Sequence, residues 1–300
     1  MTVSFSPRQL VAVNGETLKE FLGTATEAIA YDILRPHVPL PACSHVHDNG
    51  CGEGAVSSAL FALHSGSNSR VGTTVRVSAT DKDPQSLAAL KARADREGWA
   101  AHLAQVVQVD STNLSAAFAT SQTFSHSVTN FVMLQAWPRD GDCAAEIYRT
   151  LRPGGLAIVT AWEALPTMAI FRHTYQRLHS QRQEEGGKDD DLPPILRMHW
   201  YGGEHVQKAL LDAGFEEART RKEHYETRVR VHDARRWCEI GWSICGPGRE
   251  GWRVEDEENW DETINVALEV LVAAPSFELD LERQNSGWLT FTASAVVATK

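Results

Sequence analysis

The sequence predicts a doubly wound α/β fold on a mostly parallel sheet. Three observations predict it: short apolar runs alternate with helical patterns, a glycine-rich turn joins the first run to a helix, and an acid closes each of the first three runs. In order, NGETLKEFLGTATEAIAYDIL reads as one or two amphipathic helices. SHVHD then precedes the helical AVSSALFALH, VRVSA precedes PQSLAALKARADREG, AQVVQV follows, SHSVTNFVML precedes AAEIYRTL, and LAIVTAW closes the series. Parallel neighbours need a crossover between them, and those helical patterns supply it.

The second half differs. From Glu163 to about Leu196 the pattern is mixed, and QRQEEGGKDDDLPP carries the charge, Gly and Pro of an exposed loop. GGEHVQKALLDAGF reads as a helix ending at Gly214, followed by a strand, EEARTRKEHYE. Val231 to Arg283 is rich in Trp and acids and helical in parts, while WLTFTASAVVATK alternates as a half-buried strand does. Two late strands flanking an insertion point to an antiparallel end of the sheet.

The 42% hydrophobic content suits a packed core, and no run reaches the roughly 18 to 20 apolar residues that cross a bilayer. MTVSFSPRQL lacks a basic segment followed by an apolar one, so the expected location is cytoplasmic, with no membrane partner. A net charge of −10 disfavours a polyanionic partner such as nucleic acid, whose binding relies on Lys and Arg displacing counterions. The basic stretch RTRKEHYETRVRVHDARR is interleaved with acids, as a solvated face is. Five scattered cysteines without a CxxC pair read as free thiols. His45 and His47 share a strand face, yet no third ligand stands at a diagnostic spacing, so no metal is expected.

The informative stretch is SHVHDNGCGEGAVSSALFALH, in which a strand ending at Asp48 runs through Gly50, Gly52 and Gly54 into a helix. A tight turn that a ligand approaches through its backbone needs such residues, and the helix start supplies unpaired N–H donors. Gly50, Gly52 and Ala55 also fit the dinucleotide pattern G-x-G-x-x-G/A. Asp81, closing the second run, can accept hydrogen bonds from both hydroxyls of a ribose, which suits either kind of nucleotide. Asp110 and Ser111 close the third run, where an acid and a backbone N–H can meet an adenine.

Taken in order, DNGCGEG, TDKDPQSL, VVQVDSTNL and EIYRTLRPGGLAIVTAW resemble the motifs of class I S-adenosylmethionine-dependent methyltransferases. The loop from Asp48 and Asn49 through Cys51 to Ser58, with the Glu97–Trp99 triplet, is similar to that of small-molecule methyltransferases of fungal secondary metabolism. The resemblance spans about Tyr31 to Trp162 and fades beyond. It implies a Rossmann-like sheet of seven strands with an antiparallel last strand, and helical insertions forming the acceptor pocket. It further implies one methyltransferase domain over 1–300: an N-terminal helical lid (1–42), a cofactor-binding core (43–162), and substrate-side insertions with the C-terminal strands (163–300).

Carried over, Asp48, Asn49, Gly50, Gly52 and Gly54 belong to the loop beside the methionine part of S-adenosyl-L-methionine. Asp81 takes the ribose, Lys82, Asp110 and Ser111 the adenine, and Asn130 and Phe131 end the fourth strand beside the sulfonium. Two departures stand out. Phe124-Ser125-His126 replaces the usual Phe-Asp start of that strand, leaving its beginning open, and Asn130-Phe131-Val132-Met133 is not the Asn/Asp-Pro-Pro-aromatic tetrapeptide of nucleobase amino methylation.

Methyl transfer is an in-line displacement that needs alignment and exclusion of water rather than a metal. Tyr31, on the lid and also a cofactor-binding candidate, and Trp137, Trp162, Trp200 and Trp242 are candidates for the pocket wall. A hydroxyl acceptor benefits from a base more than a thiol does; the candidates are His199, His173 and Glu163. The expected reaction is methylation of oxygen, sulfur or nitrogen on a small molecule, a secondary metabolite. The alternatives are an NAD(P)-dependent oxidoreductase and a non-catalytic S-adenosylmethionine-binding regulator. The first would be expected to carry Tyr-x-x-x-Lys, whereas Tyr148, Tyr175 and Tyr201 are followed four positions on by Arg152, His179 and His205. Composition leaves the oligomeric state open.

Overall fold

A computed structural model of the protein describes residues 7–66, 75–180, 192–197, 202–247, 251–283 and 285–300. The chain forms two compact units. A sheet unit comprises Thr26–Ala164, Trp200–Glu226 and Thr292–Lys300, and a helical unit comprises Met1–Ala25, Leu165–His199 and Thr227–Phe291.

The sheet unit opens with α2 (Ala25–Leu34) and then alternates β1 (His45–Asn49), α3 (Ala55–Gly66), β2 (Arg76–Asp81), α4 (Pro84–Glu97), β3 (Leu103–Gln108), β4 (Phe124–Asn130), α5 (Asp140–Thr150) and β5 (Leu151–Ala164). After α8 (Gly203–Asp212) come β6 (Thr220–Val231) and β8 (Gly287–Thr299), whose residues 227–231 and 287–291 are counted with the helical unit, giving the order β3-β2-β1-β4-β5-β8-β6. The pairs β1–β2, β2–β3, β1–β4 and β4–β5 are parallel, whereas β5–β8 is antiparallel. Among the described residues the sheet has eight strands rather than seven because a three-residue strand, β7 (Phe277–Leu279), pairs with the first residues of β8. It is too short to show a period-two pattern.

Local signals explain the boundaries. Asp83 caps α4 by accepting from Gln85 N–H and Ser86 N–H, Pro84 occupies the first turn, and Gly98 closes the helix in a left-handed conformation. The fourth strand starts at Phe124, so Ser125 and His126 lie inside it. Its apolar support is one cluster in which Leu114, Phe118, Phe124, Ile147, Leu151 and Leu210 are buried among residues of α5, α8, β5 and β8.

One face of β1 is polar despite complete burial at His47 and Asn49. His45 Nε2 lies 2.8 Å from Ser78 Oγ, His47 Nε2 lies 2.9 Å from Thr80 Oγ1, and Asn49 Nδ2 donates to Thr129 Oγ1 at 3.1 Å. The His47 ring also stacks on Phe124, and burial pushes its pKa down to about 3. Both histidines thus serve the interior of the sheet, and no group of three His, Cys, Asp or Glu is arranged for a metal among the described residues.

In the helical unit, α1 (Gly15–Leu22) is separated from the next helix by Gly23, so the first amphipathic stretch is two helices. The unit continues with α6 (Pro166–Ser180), α7 (Pro194–Arg197), α9 (Ala234–Cys245), α10 (Val254–Glu258) and α11 (Trp260–Ala273). Aromatic rings hold it together: Phe21, Phe171 and Trp237 pack mutually, with ring centroids 4.8 to 6.1 Å apart. Most of QRQEEGGKDDDLPP lies outside the described residues. No described helix is long and apolar enough to cross a membrane.

Candidate cofactor site

The glycine loop leaves β1 where its neighbours β2 and β4 lie on opposite sides, the place at which a doubly wound sheet opens a crevice beyond its carboxyl edge. Gly50 and Gly52 have φ of 70° and 50°, the left-handed region that favours glycine. Their surroundings differ. A Cβ on Gly50 would lie 2.4 Å from Val132 Cγ2, whereas one on Gly52 would meet nothing within 4 Å. Gly50 is required by the packing of the protein itself, and Gly52 stands open.

Asp81, at the end of β2, holds this loop. Its Oδ2 accepts Gly52 N–H at 2.8 Å and its Oδ1 accepts Asp83 N–H at 2.9 Å. Cys51 N–H donates to the carbonyl of Thr80 at 2.8 Å, a second tie between loop and strand. Each carboxylate oxygen has a further lone pair, so these bonds leave acceptor capacity for a ligand hydroxyl.

Asp48 and Asn49 face the interior instead. Asp48 Oδ2 accepts both the N–H and the hydroxyl of Ser57, at 3.1 and 2.6 Å, and so ties β1 to the start of α3. Burial pushes its carboxyl up to about 6, against the Ser57 bonds that draw it down. Because this lies above the ordinary 3.8, ionisation opposes folding. Stability should fall as pH rises from about 4 to above 6, by about 3 kcal/mol from this group. Asp48→Asn keeps an acceptor for Ser57 and should flatten that part of the profile, read by urea unfolding across the range; an unaltered slope would remove Asp48 as its source.

Asp110 is exposed beyond β3, with Oδ1 accepting Thr112 N–H and Oγ–H, each at 2.8 Å. These bonds, with Lys82 and Arg139 nearby, hold its carboxyl below the usual range. Ser111 is half-buried and bonds the buried Cys143 thiol, while Lys82 is exposed. Asn130 ends β4 and Phe131 follows it. Asn130 Nδ2 donates to the carbonyl of Thr26 at 3.2 Å, and Phe131, with φ of 59°, stacks its ring on Trp162 at 3.7 Å. Helix α2 is also tied by Glu27 to Arg93, 3.6 Å away, and carries Tyr31 exposed. Arg93 in turn bonds Glu97, which accepts from Trp99 Nε1 and Ser58 Oγ; this explains the Glu97–Trp99 triplet as a brace between α3 and α4.

The three base candidates are not brought together among the described residues. His199, like Trp200, lies outside them; His173 is exposed on α6 in the helical unit; Glu163 belongs to the sheet unit. Glu163 sits at a register shift of β5 and accepts Gly203 N–H at 3.0 Å, capping α8, whose own cap residue is the side-chain-free Gly202. Burial alone would raise its carboxyl, but the Ser294 hydroxyl, that N–H, Lys222 and His224 hold it below the usual range. Trp137 is 55% exposed near His205, which lies 2.5 Å from Asp140. Among the residues that sequence reasoning missed are Thr160 and Ser294, both remote in sequence from their partners.

Residues 46–155 match a family described as methyltransferase domain. Over 265 residues the chain is 22% identical to the methyltransferase ktnA of Aspergillus niger, covering 85% of this chain and 83% of that protein. Among solved structures, a Bacillus halodurans protein assigned to the methyltransferases superposes with a TM-score of 0.53 at 16% identity, over 90% of this chain and 98% of that one. The YcgJ protein of Bacillus subtilis gives 0.54 at 11% identity, over 91% and 98%.

Proposed function

We propose, on the premise that this chain is a class I S-adenosylmethionine-dependent methyltransferase, that its acceptor is a small molecule methylated on oxygen, sulfur or nitrogen. One observation supports this reading of the cofactor loop: Gly52 donates its N–H to Asp81, and no described residue comes within 4 Å of a Cβ added at Gly52. A backbone so exposed admits a ligand at van der Waals distance, and Asp81 stands beside it with acceptor capacity for a ribose. When bound, S-adenosylmethionine supplies an electrophilic methyl on a sulfonium.

The protein's part is then alignment. Gly50, Gly52 and Gly54 shape the loop, Lys82, Asp110 and Ser111 line the adenine side, and Asn130 with Phe131 fixes the edge at which acceptor and methyl meet. Tyr31, exposed on α2, is assigned to the cover of this edge. Of the base candidates, Glu163 is held ionised by four neighbours and is a weak proton acceptor, which favours a nucleophile that needs little help. His199 and His173 are retained as candidates for hydroxyl acceptors. The acidic net charge disfavours nucleic acid, and the resemblance of the loop from Asp48 to Ser58 to small-molecule methyltransferases of fungal secondary metabolism supports a secondary metabolite.

The test is incubation with S-adenosylmethionine and a panel of low-molecular-weight thiols, phenols and amines, followed by mass spectrometry. The expected result is a methyl gain on one class with stoichiometric S-adenosylhomocysteine. Tight nucleoside binding with no turnover on any member would favour a non-catalytic regulator.

A further inference from the structure

Resting on this methyltransferase reading, we infer that Thr160 is a positioning residue: its hydroxyl clasps the end of β4 and thereby sets the edge against which the methyl is transferred. Thr160 lies on β5 opposite Asn130 and is fully buried. Its single hydroxyl does two things. It accepts Phe131 N–H at 2.9 Å and donates its own proton to Asn130 Oδ1 at 2.8 Å. Fixed in this way, the Asn130 amide points its Nδ2 at the carbonyl of Thr26, in the first turn of α2.

Phe131 explains why such a clasp is needed. Its φ of 59° is strained for a residue with a side chain, and strained conformations persist only where surrounding bonds over-determine them. Two contacts do so here: the Thr160 oxygen on the N–H and the Trp162 face beneath the ring, with an interplanar angle of 7°. Without the hydroxyl, the buried N–H of Phe131 and the oxygen of Asn130 both lose a partner, and the backbone is released towards extended geometry. The ring would then leave Trp162, and the tie to α2 would loosen. Strand end, aromatic wall and covering helix thus share one oxygen atom.

The experiment compares Thr160→Val, which keeps the shape and removes the hydroxyl, with Thr160→Ser, which restores it. Two quantities are read on the full chain: hydrogen exchange of the Phe131 amide without ligand, and calorimetric affinity for S-adenosylmethionine. In Thr160→Val, exchange at residue 131 should accelerate at least about tenfold relative to the β4 interior, and affinity should fall about tenfold; Thr160→Ser should stay within about threefold of the wild type on both. Wild-type exchange in Thr160→Val overturns the clasp, and faster exchange with unchanged affinity overturns the positioning role. Should Thr160→Val fail to fold, Thr160→Cys, with a weaker acceptor of similar volume, is expected to shift both readings in the same direction, and wild-type values there overturn the inference. If the wild type itself binds no nucleoside, the methyltransferase reading falls and the positioning role with it, whereas the exchange comparison still decides whether the clasp exists.

Discussion

Gly50→Ala should strongly destabilise the fold, and Gly52→Ala should fold and bind S-adenosylmethionine more weakly. The two glycines stand two positions apart in one loop and share a left-handed backbone, so each substitution carries the same conformational cost of about 1 kcal/mol. At Gly50 the new methyl also meets Val132 Cγ2 at 2.4 Å, Cγ1 at 2.6 Å and Cβ at 3.0 Å. A β-branched side chain cannot swing away as one unit, and overpacking of this kind adds about 1 to 3 kcal/mol. The sum, about 2 to 4 kcal/mol, is a large share of a domain's usual stability of about 5 to 15. At Gly52 the methyl meets no atom of the described residues, so only the conformational cost is expected in urea unfolding. The same methyl occupies the space assigned to S-adenosylmethionine, and affinity should drop roughly tenfold to a hundredfold. If Gly52→Ala binds the nucleoside as the wild type does, the cofactor does not approach there.

Asp81→Ala should weaken S-adenosylhomocysteine binding by about 1 to 3 kcal/mol, roughly five- to 150-fold by calorimetry. Because the carboxylate also receives Gly52 N–H and Asp83 N–H, part of that loss reflects a loosened loop. A double-substitution cycle separates the parts. Against an analogue lacking the ribose hydroxyls, the same variant should lose only the loop contribution. Equal losses with both ligands would assign Asp81 to the loop alone, and no loss with either would remove it from the site.

The sheet was legible because its evidence is local. Alternation, the glycine turn and the strand-closing acids each lie within a few residues, and they located β1 to β5 and the antiparallel β8. Of the candidate site, the position of the loop at the end of β1 was legible, and the burial of its individual side chains was not. Asp48 and Asn49 read like their loop neighbours, yet they point to opposite faces of β1 and both faces are covered, so Asp48 holds Ser57 and Asn49 holds Thr129 in the interior. Sequence can mark a loop as ligand-facing without saying which of its side chains lie behind it. Glu163 illustrates the other limit: as an acid following a strand it resembles a base, and only the fold reveals that it caps a helix beginning 40 positions later and bonds Ser294, 131 positions away. Such partners carry no periodic signature.

The polar face of β1 has a consequence for how faithfully the sheet assembles. Greasy strands tolerate sliding past one another, since one methyl serves much like the next. Here Ser78 must find His45, Thr80 must find His47, and Thr129 must find Asn49, so a misaligned strand would strand several hydroxyls and imidazoles in a dry interior. These side chains act as a combination lock on alignment, and conservative apolar replacements among them should be tolerated in bulk stability sooner than in the uniqueness of the folded state.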